Sequence, residues 1–285
     1  MGHLPMLIKK AVITAAHPDQ RTLPLQTLVD RDGVKKSALQ IVIEEVVKAG
    51  VEQIGLVICP GDQAAYLEAA GGHAGRLVFL EQHEPRGYGH AVYCAETFIG
   101  GEPFLLLVSD HLYDSTEVKN CAEQLIETAV AAKCPVSGVQ STHESKLPYF
   151  GAVGGHLLQG QQRLYLIENV IEKPTPTEAE QRLIVPGLRA GHYLCFSGMH
   201  VLTPKIMEIL GNLISKAEPG GKIQLSAALG ELSAKEQYLA LEMQGHRYDL
   251  DAKYGLLIAQ LGLALAGKER GEVLAQLVEL LARSR

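Results

Sequence analysis

Apolar runs of strand length alternate with one-sided apolar segments of helix length through the first half of the chain. This alternation predicts a parallel sheet covered by helices. Residues 9–15 predict the first strand. In 37–48, Leu39, Val42, Ile43 and Val46 recur at helical spacing and give one apolar face. "QIGLVICP", 53–60, predicts a second strand, stopped by Pro60-Gly61, and "GRLVFLEQ", 75–82, predicts a third. "GHAVYCAETFI" predicts a helix opening after Gly87 and Gly89. "EPFLLLVSD", 102–110, runs apolar from Phe104 to Val108 and ends in Ser109-Asp110, as a central parallel strand should.

The second half predicts longer strands at 135–140, 149–156, 163–172 and 189–197, and therefore a mixed sheet with a β-rich part. "EKPTPTEAEQR" is rich in Pro and Glu and reads as a surface loop. "YLALEMQGHRY" reads as one strand. Helices are expected at about 203–211, 224–234 and 252–266. A last helix, 271–283, carries Leu274, Leu277, Val278 and Leu281 on one face. It is expected to dock on the body or on a partner subunit, which admits a homo-oligomer. With no repeat, low-complexity tract or clear linker, one continuous domain over 1–285 is the simplest organisation.

Composition narrows the class. The 285 residues are 47% hydrophobic and 20% charged, the balance of an ordinary globular protein with a sizeable core. A net charge of −6 argues against broad nucleic-acid binding. The five cysteines have no CxxC spacing, which suits reduced thiols in the cytoplasm. "GLLIAQLGLALAG", Gly255 to Gly267, is too short to span a bilayer and is interrupted by Gln260. No membrane association is expected, and "MGHLPMLIKK" does not read as a signal peptide.

Chemistry concentrates at strand ends, where ligands of open parallel sheets bind. Asp110 is placed there and could hold Mg²⁺ through oxygen ligands, or could serve only as a helix cap, a role that suits Asp114 better. Asp249 and Asp251 precede a helix, so one of them could be a cap, yet a distant pair of carboxylates could also share a metal. Gln82 offers both an amide donor and an acceptor for a base edge, while Gly87 and Gly89 fit either a simple turn or a close backbone approach. Glu172 and Lys173 read as a salt bridge or as sugar and phosphate contacts. Arg21 could clamp phosphate oxygens. The eleven histidines show no HExxH spacing, and neither GxSxG nor the Walker lysine motif occurs.

Taken in order, "KKAVITAA", "PRGYGHAVYCAETFIGGEPFLLLVSD", "YFGAV", "VIEKPTP", "GHYLCFSGMHVLTP", "GKIQLSAAL" and "GHRYDLDAKYGLLIA" resemble the sugar-nucleotide pyrophosphorylases, most closely the bacterial UTP–glucose-1-phosphate uridylyltransferases. The resemblance runs to about Gly267. It implies an α/β, Rossmann-like nucleotidyltransferase fold, a mixed and mostly parallel central sheet flanked by helices. Residues 1–140 or so would be the nucleotide-binding half, about 141–267 the sugar-phosphate half, and 268–285 a C-terminal helix. The implied reaction joins UTP and glucose 1-phosphate into UDP-glucose and pyrophosphate with Mg²⁺.

By the same resemblance, Ala15, Ala16, Gln82, Gly87 and Ser109 contact the nucleotide, and Asp110 and Asp249 hold the metal. Gly151, Glu172 and Lys173 contact the sugar phosphate. Arg21, Arg31 and Lys173 carry catalytic charge, and Pro24 matches the proline that follows the loop arginine. The opening loop departs from the family pattern. His17 and Asp19 replace glycines, Gln20 replaces a threonine, and Asp30-Arg31 stands where Pro-Lys is expected. Asp249-Leu250-Asp251 stands for Asp-Cys-Gly.

A side chain forced to positive φ costs roughly 1 kcal/mol or more. Asp19 at about 4 Å from a phosphate would add repulsion on the order of 4 kcal/mol at an effective dielectric of about 20, unless an intervening Mg²⁺ made it a ligand. Protonated His17 and the retained charge of Arg31 would work the other way. An active transferase is the expected reading; the alternative is a catalytically inactive relative that binds a sugar nucleotide as a regulatory or partner subunit.

Overall fold

The chain builds outward from its most apolar strands. A computed structural model describes residues 6–283. In chain order the strands are β1 (Lys10–Thr14), β2 (Thr27–Val29), β3 (Lys35–Ser37), β4 (Gln53–Ile58), β5 (Leu77–Glu81), β6 (Phe104–Val108), β7 (His111–Ser115), β8 (Val136–His143), β9 (Gly151–Leu157), β10 (Leu164–Glu172), β11 (His192–Leu202), β12 (Leu239–Glu242) and β13 (Gly245–Asp249). The helices are α1 (Ala38–Lys48), α2 (Gln63–Ala69), α3 (Tyr88–Tyr93), α4 (Glu96–Ile99), α5 (Cys121–Ala132), α6 (Pro176–Arg182), α7 (Lys205–Lys216), α8 (Leu225–Ser233), α9 (Gly255–Ala266) and α10 (Arg270–Arg283).

A nine-stranded sheet runs β5-β4-β1-β6-β11-β8-β12-β10-β9. Its first four strands are parallel. Their apolar runs are needed because both faces are covered: Ala11 and Ile13 pack with α1, α2 and α5 on one side, and Val12 packs with α3, α4, α7 and α8 on the other. Beyond β6 the sheet is mixed, and β9 also pairs with β11. The strands β11, β8, β12, β10 and β9 therefore close into a ring. Two short ribbons stand apart from the sheet, β2 with β3 and β7 with β13.

Four sequence expectations change. The Pro- and Glu-rich segment is a helix, α6. Thr175 and Glu178 form a capping box, Pro176 occupies the first turn, and Ala179 is buried beside Leu183, Leu147 and Cys195. "YLALEMQGHRY" is two strands in two different sheets, β12 and β13. Asp114 lies within β7 and caps no helix; α5 begins later, capped by Asn120 and Glu123. Finally, α10 does not dock on the sheet. It packs along α9 and leaves Leu274, Val278 and Leu281 exposed.

Gln260, the polar residue inside the apolar run, has a clear partner. Its amide accepts from Val29 N–H at 2.8 Å and donates to Val29 C=O at 3.0 Å, tying β2 to α9.

Candidate functional site

A cleft of about 470 Å³ opens beyond the ends of β1 and β6 and reaches the start of β9. Of the residues singled out from sequence, Ala15, Ala16, Gln82, Gly87, Ser109, Asp110, Gly151, Glu172 and Lys173 line it. They come from strand ends and the turns that follow, as expected where a parallel sheet leaves its strands' carboxyl ends open.

At one end lies Gln82, buried at 6% exposure. Its Nε2 stands 2.9 Å from His90 Nδ1 and 3.3 Å from Gly87 C=O. Burial, with Arg86 nearby, lowers the pKa of His90, so the neutral ring accepts and fixes the amide's orientation. Gly87 has φ 97°, and a Cβ there would stand 2.9 Å from Ile223 C=O. Gly89 is equally constrained, since its N–H donates to the same carbonyl at 2.9 Å. Both glycines thus let residues 221–224 close over the turn, and Gly87 alone of the two borders the cleft. Tyr88 lies beneath, its buried hydroxyl without a hydrogen-bond partner.

At the other end, Glu172 and Gly151 are cross-strand partners in the β10–β9 ladder. Lys173 follows with φ 45°, a left-handed conformation uncommon for a side-chain-bearing residue. Its N–H donates to Phe150 C=O at 3.2 Å. Arg247 lies 3.8 Å over the Phe150 ring and donates to Phe196 C=O at 2.6 Å, fixing two rings that line the cleft.

Between these ends, the expected convergence of two distant carboxylates occurs. Asp249 pairs with His111 in the β13–β7 ladder, and Leu250 N–H donates to Asp110 C=O at 2.9 Å. Ligand-capable atoms of Asp110, His111 and Asp249 all lie within 4.8 Å of one another. Asp249 Oδ1 accepts from the N–H groups of Asp251 and Ala252 at 3.0 and 3.3 Å, and Oδ2 faces His111. This donor set suits a divalent cation.

The phosphate-loop expectations need correction. Arg21 does not line the cleft; it pairs with Asp62 at 3.4 Å. Arg31 is also outside, because residues 30–34 form the β2–β3 turn rather than a continuation of the loop. Asp30 Oδ1 accepts from the N–H groups of Asp32 and Val34, which sets that turn. Arg31 then meets Asp114 at 3.0 Å and lies over the end of α9. Nor is residue 17–20 strained: only Lys133, Lys173 and Tyr254 are non-glycine residues with positive φ among the described residues. Gln20 N–H donates to His17 C=O at 3.1 Å in an ordinary turn, and Gln20 Nε2 donates to Asp251 at 2.7 Å. Asp19 lines no part of the cleft and is not in the cation cluster.

Sequence reasoning missed His111, Tyr88, Arg247 and Lys222. Lys222 lines the cleft and adds a cation there. The histidine beside Asp110 was a visible signal, but its partner lies far along the chain.

The family profile described as Nucleotidyl transferase matches residues 30–248. The chain belongs to the nucleotidyl transferase family. It is similar to the UTP–glucose-1-phosphate uridylyltransferase of Bacillus subtilis (strain 168), with 29% identity over 95% of this chain and 96% of that protein. It is also similar to the UTP–glucose-1-phosphate uridylyltransferase YngB of the same organism, with 30% identity over 97% of this chain and 96% of that one. Among solved structures, UTP-bound UGPase from Acinetobacter baumannii superposes with a TM-score of 0.72 at 25% identity, covering 95% of this chain and 99% of that chain. A UDP-glucose pyrophosphorylase complexed with UDP-glucose gives 0.73 at 24% identity, covering 89% and 97%, and speaks to the fold. No helix among the described residues of this nucleotidyl transferase is long and apolar enough to cross a membrane.

Proposed function

We propose that the chain is a UTP–glucose-1-phosphate uridylyltransferase. A phosphate oxygen of glucose 1-phosphate attacks the α-phosphorus of UTP, the bond to the β-phosphate oxygen breaks, and UDP-glucose and pyrophosphate result. The observation that carries this reading is that Gln82, Asp110 and Lys173, from three distant segments, line one cleft. The near full-length similarity to two proteins of that name supports it.

Each role follows from the chemistry of the group. Gln82 reads the uracil edge with its fixed amide, and Gly87 leaves room for the ring. The Ala15, Ala16 and Ser109 backbone borders the nucleotide. Glu172 accepts from sugar hydroxyls beside Gly151, and Lys173 holds the sugar phosphate as a point charge. Asp110 and Asp249 would hold a divalent cation, Mg²⁺ by the resemblance, which supplies charge neutralisation between two polyanions. Positioning of the two phosphates, rather than covalent help from the protein, does most of the work. Lys222 adds positive charge that Arg21 and Arg31 do not bring to the cleft.

Purified protein with UTP, glucose 1-phosphate and a divalent salt should release pyrophosphate. Tight calorimetric binding of UDP-glucose with no release would instead support the inactive alternative. A panel of nucleoside triphosphates and sugar 1-phosphates fixes the specificity.

A further inference from the structure

His111 is held as few exposed histidines are. Its Nδ1 stands 3.1 Å from Ser197 C=O. A carbonyl can only accept, so this bond assigns the proton to Nδ1 and leaves the Nε2 lone pair free in the neutral ring. Tyr113 O–H donates to the same carbonyl at 3.0 Å, fixing the oxygen from a second direction. Gly198, at φ 78°, lets the backbone close on the ring: a Cβ there would stand 2.6 Å from Nδ1. The imidazole cannot turn away without breaking this packing.

The free edge of the ring faces two carboxylates. Nε2 lies 3.9 Å from Asp249 Oδ2, too far for a hydrogen bond. Asp110 completes the trio within 4.8 Å. Opposite ligands of a six-coordinate ion at about 2.1 Å stand about 4.2 Å apart, so small side-chain rotations close this set on an ion. Three electron-pair donors aimed at one point, with a hydrogen bond behind the imidazole, form the arrangement of a histidine-containing metal centre.

We infer that His111 Nε2 is a third, nitrogen ligand of the cation centre, and that the centre consequently takes Mn²⁺ in preference to Mg²⁺. Mg²⁺ favours oxygen ligands and loses its waters reluctantly. Imidazole suits first-row transition ions, and Mn²⁺ accepts carboxylate and imidazole together. The inference rests on the proposed function for the identity of the cleft. Its test, however, needs no turnover, so the two stand or fall separately.

The probe is Mn²⁺ itself, titrated into the full chain with and without UTP and with no sugar phosphate present. Electron spin echo spectra should show ¹⁴N modulation from one directly bound nitrogen. Competition should show Mn²⁺ bound at least about tenfold more tightly than Mg²⁺. His111→Val and His111→Gln should both lose the nitrogen signal and about tenfold or more of that preference. Thermal melts check that both variants fold; Tyr113 still satisfies Ser197. Bound Mn²⁺ without ¹⁴N modulation overturns the inference, as does an unchanged metal preference in both variants. No Mn²⁺ binding at all overturns it too. Pyrophosphate release that fails while the nitrogen signal is present removes the proposed function and leaves the metal centre standing.

Discussion

Gly151 and Glu172 face each other across the β9–β10 ladder, and a Cβ at 151 would stand 3.0 Å from the Glu172 carboxylate and 3.1 Å from the Phe196 ring. The absent side chain is therefore the space the carboxylate occupies. Gly151→Ala should push Glu172 aside by a few tenths of an ångström. The KM for glucose 1-phosphate should rise roughly three- to tenfold while the KM for UTP stays nearly constant. Steady-state kinetics with each substrate varied in turn decides this, and an unchanged sugar-phosphate KM would remove Glu172 from the sugar contacts.

Lys173 separates charge from conformation. Its φ of 45° strains any L side chain, so Lys173→Gly should be about 1 kcal/mol more stable than Lys173→Ala in urea unfolding. Both variants lose the ammonium, and both should lose about 100-fold or more in kcat/KM. Full activity in the glycine variant would show that the backbone turn, not the charge, is what matters at this position.

Arg31 should prove structural. Asp114 is buried at 6% exposure, and burial raises its carboxyl pKa against the pull of Arg31. Arg31→Ala leaves that carboxyl without its partner and should cost about 1–2 kcal/mol of stability. The double variant with Asp114→Asn should recover part of the loss. Turnover at saturating substrates should change less than about threefold in folded protein, since the guanidinium serves neither phosphate. A collapse of kcat in folded Arg31→Ala would contradict its placement outside the cleft.

Glu45 gives a pH signature. Its carboxylate accepts from Ala122 N–H at 2.8 Å at the start of α5, yet burial dominates and raises its pKa to about 7. The folded state therefore binds the proton more tightly than the unfolded chain. Stability from this group is full at low pH, declines as pH rises from the unfolded value through about 7, and is lost above it. The shift corresponds to roughly 3 kcal/mol. Glu45→Gln keeps an acceptor for Ala122 and removes the slope. Relative to wild type, it should gain stability at pH 8 over pH 5, read from urea midpoints. His200, buried and lowered to about 3, acts in the opposite direction, but equally in both proteins, so the comparison cancels it.

Much of this molecule was legible in its sequence because apolar period and strand length are local. Phe104–Val108 and the α1 face needed nothing further. The misses have particular causes. At 175–178 the capping box Thr-x-x-Glu and the first-turn proline were visible, but proline content outweighed them in the reading as a loop. Arg31 was placed by analogy with a Pro-Lys pair, whereas Asp30 and Gly33 make a hairpin turn that carries it to the far side of α9. Asp110, Gln82 and Lys173 were found because each ends a strand. His111 was not, because its meaning depends on a register that joins it to a residue 138 positions later.

The position of β12 has a consequence for how the protein is made. This strand, residues 239–242, lies between β8 and β10, both of which leave the ribosome well before it. Until it arrives, two edges with unmet main-chain donors and acceptors face one another across an open slot, the kind of edge on which neighbouring nascent chains can pair. A ribosome stalled anywhere short of this strand releases a sticky fragment, so the last sixth of the message guards the solubility of all that precedes it.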